Sequence, residues 1–221
     1  MPALTECKPL PAFDTLPAAA VSPATNVPCG RHDLIVCEHG GIYRNEIEHL
    51  VRMRFAEEHG ARVCSFMPTM FAMRNAAGRL CSVAGFRSAA REPLFLEQYL
   101  SEPIEQALAG VSQRRVERCE IVEVGNLAGI SCRSAVRLVL HLPHLLLSRG
   151  HKWIVFTATG AVRQLLASYA APLIELAPAD VSRIGRSQDH WGSYYERDPR
   201  VMAGYLEDGI DMRRERRIAR G

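Results

Sequence analysis

The 221-residue chain has room for one domain with a substantial core, and its 48% hydrophobic and 23% charged content is ordinary for a soluble globular protein. The formal charge of +3 lies wholly in Ile210–Gly221, where five arginines face Asp211 and Glu215. The neutral remainder argues against a nucleic-acid-binding body, which carries a clustered basic face. Seven cysteines at irregular spacing, with no C-x-x-C, exclude a disulfide framework or a zinc site and fit reduced thiols. The N-terminus lacks the continuous apolar core of a secretory signal, and no stretch approaches the roughly 18 apolar residues that span a bilayer. A cytoplasmic protein is expected.

Residues 1–30, rich in Pro and Ala, are expected to form a mobile arm. Leu34–Cys37 is a candidate first strand and His39-Gly40-Gly41 a turn. From about Asn45, Ile47, Leu50, Val51 and Phe55 recur at helical spacing, and Gly60 supplies the stop. A hairpin follows: Val63–Met73 and Leu80–Phe86 flank the turn Asn75–Gly78, Pro68 marks an edge or bulge, and Arg87 ends the second strand. Pro93 opens a helix carrying Leu94, Leu96, Tyr99 and Leu100, and Ser101-Glu102-Pro103 restarts it through Ile104 and Leu108 to Gly110.

Cys119–Ala128 reads as the central strand. The helix after it carries Val136, Val139, Leu140 and Leu142, and Pro143 should kink it. Trp153–Thr159 is an apolar run of the kind buried on both faces. A short helix around Val162, Leu165, Leu166 and Tyr169, a strand at Leu173–Ala177, a strand over His190–Tyr195 and an Asp198-Pro199 turn complete the body. The order gives a mixed α/β (α+β) layout, one central sheet flanked by helices, over 31–208. The basic tail 209–221 reads as a solvated helix end that can also touch anionic lipid.

No P-loop, dinucleotide fingerprint, nucleophile elbow or H-E-x-x-H is present. His141 and His144 share a helix face without an acidic third ligand, which disfavours a metal. Cys132, near a helix start, reads as a packed thiol before a nucleophile. The central strand is more informative. Ile121, Val122 and Val124 are β-formers, and Glu123 sets a carboxylate among them where burial is expected and an unpaired charge is costly. Gly125-Asn126 then breaks side-chain packing, as where a ligand or another backbone approaches. Two readings stand: an ion-paired Glu with a turn-forming Asn, or a site.

Glu97 and Glu120 are the other candidate bases, and strand alternation puts Glu120 and Glu123 on opposite faces. Arg87 can clamp a carboxylate or phosphate, or pair with Glu123. Trp191, Tyr194 and Tyr195 read as core or rim aromatics, with a Tyr hydroxyl able to act as general acid toward a leaving thiolate.

Several stretches together resemble the thermostable haemolysin family over about residues 32–205: Tyr43-Arg44 through Arg54-Phe55 and His59-Gly60-Ala61, Ala84-Gly85-Phe86-Arg87, Leu94-Phe95-Leu96-Glu97-Gln98-Tyr99-Leu100, Glu102-Pro103-Ile104-Glu105, Glu120–Ala128, Phe156-Thr157-Ala158-Thr159 and Trp191-Gly192-Ser193-Tyr194-Tyr195. That family is similar to the autoinducer (acyl-homoserine-lactone) synthases, whose fold is that of the GNAT N-acyltransferases. The resemblance implies a GNAT-like mixed sheet whose central strand splays from its neighbour. Glu123 matches a family glutamate, and Arg87 a family arginine. Asn126 stands where those synthases carry Arg, which argues against the homoserine-lactone chemistry itself. The usual pyrophosphate-loop pattern is missing after Ala128, although Gly129–Arg133 offers helix N-terminal amides and the Arg133 cation.

The resemblance therefore implies an N-acyltransferase that joins an activated fatty acyl group to a small amine, making an acylated signal or secondary metabolite. The donor is an acyl-CoA, acyl-carrier-protein or similar thioester, with no bound cofactor or metal and a carrier protein as an optional partner. Glu123, and second Glu97, are the candidate bases. Asn126 and Tyr194 complete the chemistry, and Arg87, Gly125, Leu127, Arg133 and Trp191 are expected to bind substrates. The family name carries an alternative, a membrane-active cytolysin without enzymatic activity; a third reading is a non-catalytic acyl-binding module. Oligomeric state is not legible.

Overall fold

In the computed structural model, residues 26–29, 32–167 and 173–211 are described. They build one eight-stranded sheet, in the order β1-β2-β3-β4-β5-β6-β8-β7. The strands are β1 (Asn26–Cys29), β2 (His32–Cys37), β3 (Thr69–Asn75), β4 (Leu80–Ser88), β5 (Ile121–Gly129), β6 (Trp153–Ala158), β7 (Ile174–Pro178) and β8 (Arg200–Tyr205). Every neighbouring pair is antiparallel except β5–β6, which is parallel. The α-helices are α1 (Arg44–His59), α2 (Ile104–Ser112), α3 (Cys132–Leu147) and α4 (Gly160–Ala167).

Side-chain alternation sorts the core into two faces. On one, Leu138, Leu142 and Leu146 of α3 pack on Phe71, Phe86, Val122 and Val124. On the other, Ile47 and Val51 of α1 cover Ile35, Met70 and Ala72, while Ile104 and Leu108 of α2 cover Ile121, Trp153 and Val155. Both faces of the sheet are covered, so the central strands are largely apolar, and Glu123 is the buried charge among their described residues.

The first helix and its stop, the hairpin turn and the central strand fall where the sequence places them. Gly60 takes φ 64 at the end of α1, a left-handed conformation that glycine adopts without penalty. Four expectations need correction. Asn26–Cys29, inside the stretch read as an arm, is an edge strand on β2. The strand expected from Val63 starts only at Thr69, because Arg44 donates to the carbonyls of Met67 (2.7 Å) and Pro68 (3.1 Å) and takes them out of any ladder.

The helix expected after Pro93 is a single 3-10 segment, Phe95–Tyr99. His190–Tyr195 is not a strand: Gly192–Arg197 is a 3-10 helix, and the last strand lies further on, at Arg200–Tyr205. Gly192 sits so close to the end of α1 that a Cβ there would lie 2.0 Å from the His59 carbonyl oxygen. Pro143 lies inside α3, which continues to Leu147. Residues 1–25, Tyr169 and 212–221, most of the basic tail, lie outside the described residues.

Candidate active site

The sheet is interrupted where β5 and β6 part. Their parallel pairing covers only Ile121–Val124 against Trp153–Phe156. β5 then runs on to Gly129 through a bulge: Gly125 pairs with Gly85 and Ala128 with Val83, which leaves Asn126 and Leu127 opposite Ala84 alone. Asn126 takes a left-handed φ of 49 to make this bulge, a conformation Asn tolerates better than most residues. Its Oδ1 accepts the Met67 N–H at 2.8 Å. Met67 in turn lies over Gly125, where a Cβ would come within 2.6 Å of the Met67 Cε. A Cβ at Gly125, two residues beyond Glu123, would therefore have to displace the end of the Met67 side chain.

Glu123 projects from β5 toward the α1/α2 face and is 3% exposed. It has no cation on its carboxylate. Its oxygens accept the N–H groups of Phe95 (2.8 Å) and Leu96 (3.1 Å), the first amides of the 3-10 segment. Burial pushes this carboxyl up to about 7, against the pull of those donors and of the Arg87 charge. Arg87 faces Glu123 directly across the β4–β5 ladder. Its buried Nε makes no hydrogen bond and only a loose 3.4 Å ion-pair contact with Glu92, and its Nη1 donates to the Pro93 carbonyl at 3.4 Å.

Glu97 lies only one turn away but is spent. Arg118 donates to both its oxygens (2.7 and 2.8 Å), and the N–H groups of Leu94 (2.9 Å) and Ile104 (3.2 Å) complete its shell. The Arg118 guanidinium holds the Glu97 carboxyl down at about 2. Together the two glutamates take the amides of Leu94, Phe95 and Leu96, the N–H groups that a helix start leaves without internal partners.

Glu123, Arg87 and Phe95 border a cavity of about 510 Å3. It is lined from the α1/α2 face by Glu123, Arg87, Tyr99 and Trp191, and from the α3 face by Val136, Val139, Leu142 and Phe156. Residues of both faces line one space, so its throat is the gap between β5 and β6. Toward α3 and α4 the walls are apolar; the polar groups gather at the Glu123 end.

Gly125, Asn126, Leu127, Trp191 and Tyr194 all line the cavity, with Glu123 and Arg87. Glu97 and Arg133 are outside its lining, and Arg133 is exposed on α3. Glu120, on the opposite face, pairs with Lys152 at the surface. Trp191 packs among Phe55, Phe95 and Tyr194 at centroid distances of 6.3, 6.2 and 5.3 Å. Burial raises the Tyr194 phenol above its usual range, which keeps its proton in place, and its hydroxyl lies 3.4 Å from the Thr157 carbonyl. Cys132 is an exposed thiol at the cavity rim.

Two lining groups were not singled out from sequence for chemistry. His59 and Thr157 both border the cavity, and His59 Nδ1 and Thr157 Oγ1 are buried without a hydrogen-bond partner. No spacing rule connects residues so far apart in the chain. The resemblance blocks His59-Gly60-Ala61 and Phe156-Thr157-Ala158-Thr159 contain them without assigning them a role.

The family model described as "Thermostable hemolysin" matches residues 38–210. The chain belongs to the thermostable hemolysin family. A search of curated proteins finds no match. Among solved structures, the fold is similar to FeeM, an N-acyl amino acid synthase from uncultured soil microbes, at 13% identity and TM-score 0.56 over 80% of this chain and 92% of that one. It is similar to TofI in a ternary complex with an inhibitor and MTA, at 14% identity and TM-score 0.54 over 80% and 94%. It is also similar to BjaI, a CoA-dependent acyl-homoserine lactone synthase, with SAM and isopentyl-CoA, at 14% identity and TM-score 0.54 over 83% and 87%. The sheet with its parted central strands is the GNAT-like fold of these acyltransferases.

Proposed function

We propose that this protein is an N-acyltransferase that joins a fatty acyl group, delivered as a CoA or carrier-protein thioester, to a small amine. The observation that carries this reading is the throat between β5 and β6, with Glu123 on one side and an apolar chamber on the other. A thioester lying in the gap sends its acyl chain toward α3 and α4. Its carbonyl then faces the polar end.

The chemistry assigned to each residue follows from its surroundings. The acceptor arrives as an ammonium. Glu123, whose proton affinity is raised to about 7, takes one proton and so creates the nucleophilic amine near neutral pH. The nitrogen attacks the thioester carbonyl, and backbone N–H groups of the Asn126–Leu127 bulge, outside the β4–β5 register, stabilise the oxyanion. The C–N bond forms and the C–S bond breaks. The second proton of the ammonium balances the thiolate, with Tyr194 as the donor at that position, and Glu123 returns the first proton to solvent. Asn126 acts as a positioning residue through Met67, and Glu97 through the 3-10 segment that carries Phe95 and Leu96.

Arg87 supports an acceptor with a carboxylate, because a half-buried guanidinium with only two long contacts, to Glu92 and to the Pro93 carbonyl, stands across the ladder from the proposed base. An α-amino acid presents an ammonium and a carboxylate together, as a carboxylate base and a guanidinium on paired strands would require. FeeM, with the same fold, is an N-acyl amino acid synthase. The family name concerns lysis. No helix among the described residues is long and apolar enough to cross a membrane, and an N-acylated amphiphile accounts for lysis as a property of the product.

The test is direct. Purified protein is incubated with acyl-CoA, or with acyl-carrier protein, and a mixture of amino acids and simple amines, and the products are read by mass spectrometry. An N-acylated product that depends on the protein is expected; its absence with every donor overturns the reading. Dye release from vesicles should follow product formation, and release by the protein without donor would favour the cytolysin.

A further inference from the structure

Six buried side-chain nitrogen or oxygen atoms among the described residues have no hydrogen-bond partner, and three of them, on His59, Arg87 and Thr157, belong to residues lining the one cavity. A buried polar atom left unpaired costs about 1–3 kcal/mol, and such atoms in native proteins call for an explanation. Arg87 has one in the proposed reaction. His59 Nδ1 and Thr157 Oγ1 do not.

The residues that carry these two atoms both contact Tyr194. The Tyr194 ring stands edge-on to His59 at a centroid distance of 5.3 Å, and its hydroxyl reaches the Thr157 carbonyl at 3.4 Å. Thr157 is the first residue of β6 beyond the last position paired with β5. Alternation with Phe156 turns its side chain to the α1/α2 face, the face of Glu123. The imidazole is held below its ordinary pKa, first by burial and then by the Arg197 charge, although Glu58 opposes this. It is neutral at pH 7, with one ring nitrogen to donate and one to accept. A neutral imidazole and a threonine hydroxyl form no salt bridge with a ligand. They match a group that both donates and accepts, as a hydroxyl does.

We infer that His59 and Thr157 form a second polar subsite of the cavity, which binds a hydroxyl group on the side chain of the amine acceptor. The subsite lines the same cavity as Glu123 and lies on the same face of the sheet, with Thr157 two residues along β6 from Val155, the ladder partner of Glu123. This inference rests on the acyl-transfer reading only for naming the ligand as the acceptor. Sites built to hydrogen-bond a substrate hydroxyl reject the analogue lacking it strongly, because their own polar groups are then left unpaired.

The test uses matched amino acids that differ by one hydroxyl, serine against alanine, threonine against valine and tyrosine against phenylalanine, with wild-type protein, Thr157→Val, Thr157→Ser and His59→Phe. Calorimetric affinity and, separately, kcat/KM for acylation are measured for each pair. Wild type should favour the hydroxyl member of at least one pair by about 100-fold or more. Thr157→Val and His59→Phe should cut that preference to a few fold, and Thr157→Ser should keep it. Thr157→Val conserves β-branching and His59→Phe conserves ring packing, and circular dichroism checks that both fold. The inference is overturned if no member of any pair binds, if wild type shows no preference, if the preference survives both variants, or if the variants change only the KM of the acyl donor. Selective binding without any acylation would sustain the subsite and refute the acyl-transfer reading.

Discussion

Glu123 and Glu97 sit close together, and each accepts two backbone N–H groups, Glu123 from Phe95 and Leu96 and Glu97 from Leu94 and Ile104, yet they are driven in opposite directions. Glu97 also has a bidentate guanidinium, and its carboxyl is held at about 2. Glu123 has burial without a bound cation, and its carboxyl rises to about 7. The difference is Arg118: one carboxylate is fixed as a permanent anion that ties the turn to α2, the other can gain and lose a proton at neutral pH. Pairs of titratable groups whose environments push their pKa values apart mark a division of labour. Here it separates a structural clamp from the proposed proton acceptor on the cavity wall.

Substitutions sharpen that contrast. The largest effect is expected for Glu123→Gln, which should lower the rate of amide formation by about 100- to 10,000-fold, the range of a lost general base, while thermal unfolding stays cooperative. Glu97→Gln should do the reverse. It should cost about 3 kcal/mol of stability at pH 7, read by urea denaturation, because a folded-state pKa depressed from 4.5 to about 2 is worth roughly that much, and catalysis should fall far less than in Glu123→Gln. An equal loss of rate in both variants would break the contrast.

Stability against pH separates the two further. The Glu97 contribution is present above about pH 4.5 and should be lost as pH falls toward 2. Glu123 has the opposite sign: its raised folded pKa favours the protonated form, so its contribution should decline as pH rises from about 4.5 to 7, and Glu123→Gln should abolish that decline in Tm. Smaller still is Asn126→Ala, which removes the acceptor for the Met67 N–H and should cost about 1–2 kcal/mol in denaturation, with a loosened residue 61–68 segment read by hydrogen exchange.

What the sequence discloses follows how local each cause is. Glu123 is legible because a charge among β-formers is anomalous wherever the fold places it, and Gly60 because a helix stop is a local matter. The 3-10 segment Phe95–Tyr99 is not legible: its apolar residues suit a helix, and what sets its start is capture of its amides by a carboxylate 28 residues away. Trp191–Tyr195 carries strand-like aromatics, but the approach of Gly192 to His59 makes it a packed turn. β8, with Ala203-Gly204 at its centre, has little intrinsic strand signal and is held by pairing on both edges. Gly125-Asn126 invited the reading of a close approach, and the structure supplies Met67 as what approaches. The family resemblance supplied the splayed sheet. It could not supply the His59–Thr157 pair, which exists only through long-range packing.

The most direct measurement is the pH profile of kcat/KM for amide formation at saturating thioester, in wild type and in Arg87→Met. If Glu123 is the proton acceptor, the wild-type rate should rise with pH through an inflection near 7. Removing the Arg87 charge, which stabilises the carboxylate, should move that inflection to higher pH. A flat profile between pH 5.5 and 8.5, or an inflection that Arg87→Met leaves in place, would contradict the assignment.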